Sequence, residues 1–255
     1  MSAGAREPRR GSRALDREAK TTAESGMCNL YSITKSADAM RQLFRVGHNR
    51  GPSEIEPLPA IFPGWNAPIV RLAEDGEREL LAMSWGFVLP QPGRAPRRVT
   101  NVRDDKVLDS RFWRPSFDRR RCLVPVTAFC EPDDGKPARW HWFSLKSDED
   151  PRPLFALAGI WQRWQGPVKK DGEPVDIATY AFMMTPANAV TASINHDRCP
   201  VMLRSEDEFQ TWLTGTPAEA YSLVRTPDPD IMHIVQSGMD KEDLLGAGPQ
   251  ISLSL

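Results

Sequence analysis

From residue 28 onward, apolar and polar positions alternate or cluster in short runs, each closed by Gly, Pro, Asn or Asp. That pattern predicts many short strands rather than long amphipathic helices. Residues 28–33 alternate loosely and read as a strand. Residues 36–44 read as a helix, with Met40, Leu43 and Phe44 on one apolar face and Ser36 as its N-cap. Residues 47–59 are polar and broken by Pro52, Pro57 and Pro59, which predicts a loop. Two strands, 67–73 and 79–84, flank Asp75-Gly76, a hairpin turn signal. The second continues through Trp85 to Leu89 and stops at Pro90. A helix is expected over 106–117, then strong strands at 122–126 and 128–130 running into Glu131-Pro132. Further strands are expected at 140–145, 155–161 and 177–185, a short helical stretch at 186–193, and a last strand at 231–235. Ser205 with Glu208 forms a capping box for a helix to about Leu213.

The sum is one α+β domain, 27–237, of mostly antiparallel short strands closing into a barrel-like core with peripheral helices. Residues 1–26 carry almost no large apolar side chain and read as a disordered leader, absent from the working protein; 238–255 read as a loose tail.

Composition narrows the function classes. Net charge is −1, so overall charge selects no polyanion and any nucleic-acid surface must be local. One segment is locally basic: Arg94 to Arg121 carries ten basic residues against four acidic ones. Trp85 and Trp113 flank it as candidate stacking platforms. No apolar run reaches the ~20 residues of a membrane span, and residues 1–26 hold no apolar signal core. A cytoplasmic setting is expected, with no membrane contact and with Cys28, Cys122, Cys130 and Cys199 reduced. No C-x-x-C pair or His spacing suggests a metal, and no cofactor is expected. A monomer is expected.

Met27-Cys28 stands where the fold signal begins. If Cys28 becomes the first residue, it offers a thiol and a free α-amine on adjacent carbons, and an unperturbed α-amine (pKa about 7.7–8.0) is partly neutral at physiological pH. Asn101 is a short amide beside Arg103. Glu131 ends an apolar strand, where burial can raise a carboxyl into the acid–base range. His196 sits on a loop before Arg198 and another apolar run, placed for proton transfer.

In order, Met27-Cys28, Trp85-Gly86, Asn101-Val102-Arg103, Arg121-Cys122-Leu123-Val124-Pro125 leading to Glu131, Ala158-Gly159-Ile160-Trp161, and His196-Asp197-Arg198-Cys199-Pro200-Val201-Met202-Leu203 resemble the SOS-response-associated peptidase (SRAP) family. The resemblance runs from Met27 to Val235. It implies a protein of the DNA damage response that binds single-stranded DNA carrying an abasic site. It also implies a covalent thiazolidine crosslink made through the exposed Cys28, and self-removal of the leading residues by peptidase-like chemistry. Cys28, Asn101, Glu131 and His196 fall on the family's catalytic positions, Arg103 and Arg198 on its phosphate-holding arginines. Such a protein would be nucleoid-associated while on DNA. Leu30 departs from the family's arginine, and Cys130 and Pro132 replace its aromatic neighbours of Glu131. Two other readings stay open on the residues alone: a thiol peptidase or amidase that needs no DNA, and a non-covalent single-strand-binding module.

Overall fold

The computed structural model describes residues 28–244. The expected leader therefore lies outside the described residues, as does the expected tail beyond 244. In chain order the elements are β1 (Leu30–Ile33), α1 (Ala37–Phe44), β2 (Leu58–Ile61), β3 (Asn66–Leu72), β4 (Arg78–Trp85), β5 (Phe87–Leu89), β6 (Arg97–Val99), β7 (Asn101–Arg103), α2 (Asp104–Val107), α3 (Arg114–Arg119) and β8 (Arg121–Val126). They continue with β9 (Ala128–Pro132), β10 (Trp140–Leu145), β11 (Phe155–Gly166), β12 (Val175–Pro186), α4 (Ala189–Ala192), β13 (Arg198–Pro200), β14 (Met202–Leu203), α5 (Glu206–Thr214), α6 (Pro217–Ser222) and β15 (Met232–Gly238).

Five strands close on themselves in the order β12–β4–β3–β8–β11 and back to β12. The expected barrel-like core of antiparallel strands is present; the one parallel join in the ring is β12 against β4. Closure removes the exposed edges that an open sheet of such apolar strands would present. Every residue of β8 is buried, because its two faces meet different layers. Gly159 lets β11 approach β8: a Cβ there would lie 2.8 Å from both Cys122 Sγ and Val124 Cγ2. α5 plugs one side of the ring, where the Trp212 indole N–H is shared between the carbonyls of Cys122 and Gly159, each 3.0 Å away.

A second sheet, β15–β10–β9–β1–β2, packs against the barrel. Its inner face adds Tyr31, Ile33, Phe129 and Phe143 to the main core; its outer face holds a smaller cluster of Leu30, Ala60, Ala128, Cys130 and Trp142. This alternation is the period-2 pattern of a sheet with two covered faces.

Several elements differ from the sequence reading. The helix expected over 106–117 is two short helices, α2 and α3. Between them the Ser110 hydroxyl accepts from the backbone N–H of Phe112 and Trp113, which competes with helical bonding, and Pro115 opens α3. Residues 58–61, expected in a loop because of Pro57 and Pro59, form β2. It is an edge strand, where a missing N–H costs no ladder bond.

The tail expected to be loose from Gly238 is fixed as far as Leu244. Asp243 is fully buried, bridges Arg152 at 2.9 Å, accepts from the Ser32 hydroxyl at 2.9 Å, and donates its N–H to Pro59 O at 2.9 Å. A buried ion pair makes up for a segment with few apolar residues of its own. Asp243→Ala strands the Arg152 guanidinium, which is itself 3% exposed. We expect that variant to lose about 3–5 kcal/mol of stability, read as a lower urea midpoint at unchanged slope. Among the described residues no helix is long and apolar enough to cross a membrane.

Candidate active site

Strand pairing brings the site together. β1 and β9 run antiparallel with Leu30 opposite Cys130, so Cys28, two residues before Leu30, falls beside the end of β9. Glu131 is near that end. β7 pairs parallel with β12, Asn101 opposite Phe182, which carries the Asn101 amide across to the start of β1. His196 arrives on the turn between α4 and β13. Asn195, at φ 62, takes the left-handed conformation that asparagine tolerates, and the His196 N–H bonds Thr191 O at 3.3 Å.

The geometry centres on the Cys28 backbone. The Asn101 side-chain N–H donates to the Cys28 carbonyl at 2.7 Å and to Thr100 Oγ1 at 2.9 Å. Thr100 Oγ1 in turn lies 3.4 Å from the same carbonyl. The Cys28 thiol makes long contacts, 3.5 Å to Leu30 O and 4.0 Å to Cys130 O, and faces Glu131. His196 Nε2 lies 3.2 Å from Glu131 Oε2, and its Nδ1 lies 3.0 Å from Arg198 O. A carbonyl only accepts, so Nδ1 carries a proton and Nε2 faces the carboxyl.

Cys28 and Glu131 are fully buried and His196 is 7% exposed. Both Glu131 oxygens and Asn101 Oδ1 are buried without a well-aligned hydrogen bond. Buried polar atoms left unmatched carry a cost, and sites where they collect are where a substrate or water supplies the missing partner.

Burial pushes the Cys28 thiol well up, and the nearby Glu131 charge pushes it the same way. Burial also raises Glu131, against the pull of His196. For His196 burial works downward, but the bond and charge of Glu131 outweigh it and leave its pKa at about 8. With Nδ1–H fixed, Glu131 and His196 share their titration as a coupled pair, each holding the other's proton affinity up or down. The thiol is neutral, not a preformed thiolate. An acid–base pair beside a protonated thiol suits chemistry in which protons must be passed on each step.

The residues assigned to DNA contact fare differently. Trp85 is fully buried, stacked on Phe182 with ring centres 5.4 Å apart and edge-on to Tyr31, its N–H spent on Thr100 O. It offers no face to a base; it is the floor under Thr100. Trp113 is likewise packed on Phe87 and Phe112. Arg103 is exposed but held bidentate by Asp105, and Arg198 pairs with Asp104 at 2.9 Å. Leu30 is buried in the outer cluster. The basic excess around residues 94–121 is also smaller at the surface than in the sequence, because Arg120 and Arg121 turn inward onto backbone carbonyls. Thr100 escaped the sequence reading, since a lone threonine beside an asparagine carries no signal until the fold aims it at Cys28.

The closed barrel and the sheet against it bring a buried cysteine, a buried carboxyl and an imidazole together, with an amide holding the cysteine backbone, which marks a cysteine-centred candidate site. The family model described as SOS response associated peptidase (SRAP) matches residues 27–238, and the chain belongs to that family. The membership supports a DNA-related function tied to the SOS response and suggests peptidase-like activity.

Solved structures share the fold. A Bordetella bronchiseptica protein aligns with TM-score 0.64 at 19% identity, covering 84% of this chain and 99% of its own. A Bacteroides thetaiotaomicron protein aligns with TM-score 0.60 at 24% identity over 82% and 90%. A phage-related protein of Bordetella bronchiseptica aligns with TM-score 0.59 at 17% identity over 84% and 98%. No curated protein matches the chain by sequence.

Proposed function

We propose that the protein, once Cys28 is its first residue, captures abasic sites in single-stranded DNA as a covalent thiazolidine. The observation that carries this reading is the convergence of Asn101, Glu131 and His196 on Cys28, with Asn101 holding the carbonyl at 2.7 Å and leaving the nitrogen side free of hydrogen bonds among the described residues.

An abasic deoxyribose equilibrates between a closed hemiacetal and an open aldehyde. Imidazolium at His196 donates a proton to the ring oxygen while ionised Glu131 takes the proton of the C1′ hydroxyl, which opens the sugar to the aldehyde. The neutral Cys28 amine adds to the aldehyde carbon and one of its protons passes to the oxygen, giving a carbinolamine. Loss of the carbinolamine hydroxyl as water, with the proton held by Glu131, and return of the nitrogen's remaining proton to His196 give the imine. The thiol then adds to the imine carbon and its proton passes to the imine nitrogen, closing a five-membered ring. Holding both nucleophiles on one residue makes the second addition intramolecular, with the high effective molarity that implies.

The same groups serve a peptidase-like removal of residues 1–27. The Cys28 thiol adds to the Met27 carbonyl and gives its proton to the Glu131–His196 pair, the Cys28 nitrogen departs with a proton from that pair, and water hydrolyses the thioester to the Met27 carboxylate and the free thiol. This leaves the free amine that the capture needs.

The test uses protein beginning at Cys28 and an oligonucleotide with one abasic site. A heat-stable, slower band on a denaturing gel is expected, with none from undamaged DNA; its absence sinks the reading. Turnover of a peptide without DNA would instead favour a plain thiol peptidase. Salt-sensitive binding that never becomes covalent would favour a single-strand-binding module.

A further inference from the structure

Beside Trp85 and Thr100, which back onto the Cys28 carbonyl, two side chains that no motif singled out stand open for a ligand. Trp65 is 51% exposed although it is the largest side chain type in the chain's repertoire. It is not loose. Its carbonyl accepts from Trp85 N at 2.9 Å, Gly64 N donates back to Trp85 O at 2.7 Å, and the ring of Phe62 meets it edge-on at 5.4 Å. Phe62 in turn packs on the outer cluster that contains Leu30, two residues from Cys28. A rigidly based indole left open to water is an unusual expense for a surface turn, and it presents a flat apolar face.

Beside it lies Arg98. Its guanidinium passes next to Gly64: a Cβ there would lie 3.8 Å from Nε. One nitrogen, NH1, donates to Ser84 Oγ at 2.9 Å and to Gly86 O at 3.0 Å, which fixes the group and leaves Nε and NH2 without partners. Gly86, at φ +99, is the residue that lets this happen; a Cβ there would come within 3.2 Å of Arg98 Cδ and 3.4 Å of Thr100 Cγ2. Arg98 NH1 also lies 3.4 Å from Trp85 O, the Trp85 indole N–H donates to Thr100 O at 3.3 Å, and Thr100 Oγ1 lies 3.4 Å from the Cys28 carbonyl, so a chain of hydrogen bonds links Arg98 to the site. Among the described residues no carboxylate pairs with Arg98, whereas Arg103 and Arg198 are each neutralised by an aspartate. Burial acts against its cation. A half-buried guanidinium without a counter-ion is a standing site for an anion.

We infer that Trp65 and Arg98 form a nucleotide clamp linked to the Cys28 site, with the indole stacking a base and the guanidinium taking a phosphate of the same single strand. This rests on the single-strand DNA reading above and supplies contacts that the acid-paired Arg103 and Arg198 and the buried Trp85 do not. The clamp reads no sequence, since every base has a face to stack and every nucleotide a phosphate.

The test is equilibrium binding of a fluorescent, undamaged single-stranded oligonucleotide to the full chain, read by anisotropy across a salt series. Trp65→Ala is expected to weaken binding about tenfold, and Trp65→Phe to recover most of it. Arg98→Gln is expected to lower the steepness of the salt dependence by about one counter-ion. DNA should quench tryptophan fluorescence in the unaltered chain, and less so in Trp65→Ala at saturation. Unchanged melting temperatures in the variants separate lost contact from lost fold. If the unaltered chain binds and Trp65→Ala and Arg98→Gln bind equally well, the clamp is overturned and the DNA reading stands. If the unaltered chain binds no single strand, both fall.

Discussion

Cys28→Ala, in protein starting at residue 28, is expected to give no adduct with abasic DNA that survives heating. Alanine keeps the amine, so an imine still forms, but nothing adds to it and it hydrolyses. Borohydride should trap that imine as a stable amine, so the band returns only with reductant. Cys28→Ser should fall between the two, because a hydroxyl adds to the imine less favourably than a thiol. Protein that keeps residues 1–27 should also form no adduct, since the Cys28 nitrogen is then an amide. The denaturing gel with and without reductant distinguishes all four. A stable, reductant-independent adduct with Cys28→Ala would mean that another nucleophile does the work. Cys130, buried alongside in the outer cluster, would not be a ready substitute, as burial raises its thiol pKa.

Glu131→Gln should slow capture at pH 7.5 by about a hundredfold, the low end of what a positioned acid–base group contributes. The amide keeps the volume but cannot carry or release a proton. It also removes the bond and charge of Glu131 that lift His196, leaving burial opposed only by the Arg198 carbonyl and the Asp197 charge, so the imidazole becomes neutral at lower pH. Two opposing ionisations then shape the profile. In the unaltered protein the rate should climb as the amine loses its proton. It should fall above about pH 8, where the raised His196 gives up the proton used to open the sugar. In Glu131→Gln the falling limb should move to lower pH, narrowing the bell as well as lowering it. Single-turnover rates from pH 5.5 to 9.5 check both features. A variant with reduced rate and an unmoved alkaline limb would detach Glu131 from His196.

Much of this site was legible in the residues because it lies in short, ordered motifs. Cys28, Asn101, Glu131 and His196 were each weak alone, and the strand register puts them together: β1 beside β9, β7 beside β12, and a left-handed Asn195 turning His196 inward. What failed was anything that depended on which way a side chain faces. Trp85 in a Trp-Gly pair reads as a surface ring, yet it alternates inward and stacks on Phe182, far away in sequence. Arg121 opens a wholly buried strand and turns its guanidinium onto helix-end carbonyls, so it never reaches solvent as a phosphate ligand. Trp65, just beyond a Pro-Gly turn, belongs to no motif in the sequence, and only the fold shows its indole exposed. Likewise β2 was hidden by its prolines, whose cost vanishes only because the strand sits at an edge.

The grip of Asn101 falls on the carbonyl side of Cys28, and this fixes an order of events. That carbonyl belongs to the same peptide link, to Asn29, before and after residues 1–27 are lost. The anchor therefore does not change when the nitrogen is freed. The barrel and the Glu131–His196 pair can be assembled in full while the amine is still capped, and the proposed loss of the preceding residues would then arm a site whose other parts are already in place. Under the proposed removal of residues 1–27, the protein would be made as a precursor: an aldehyde-reactive amine would be withheld until a finished site surrounds it, which would spare it from stray carbonyl compounds during folding.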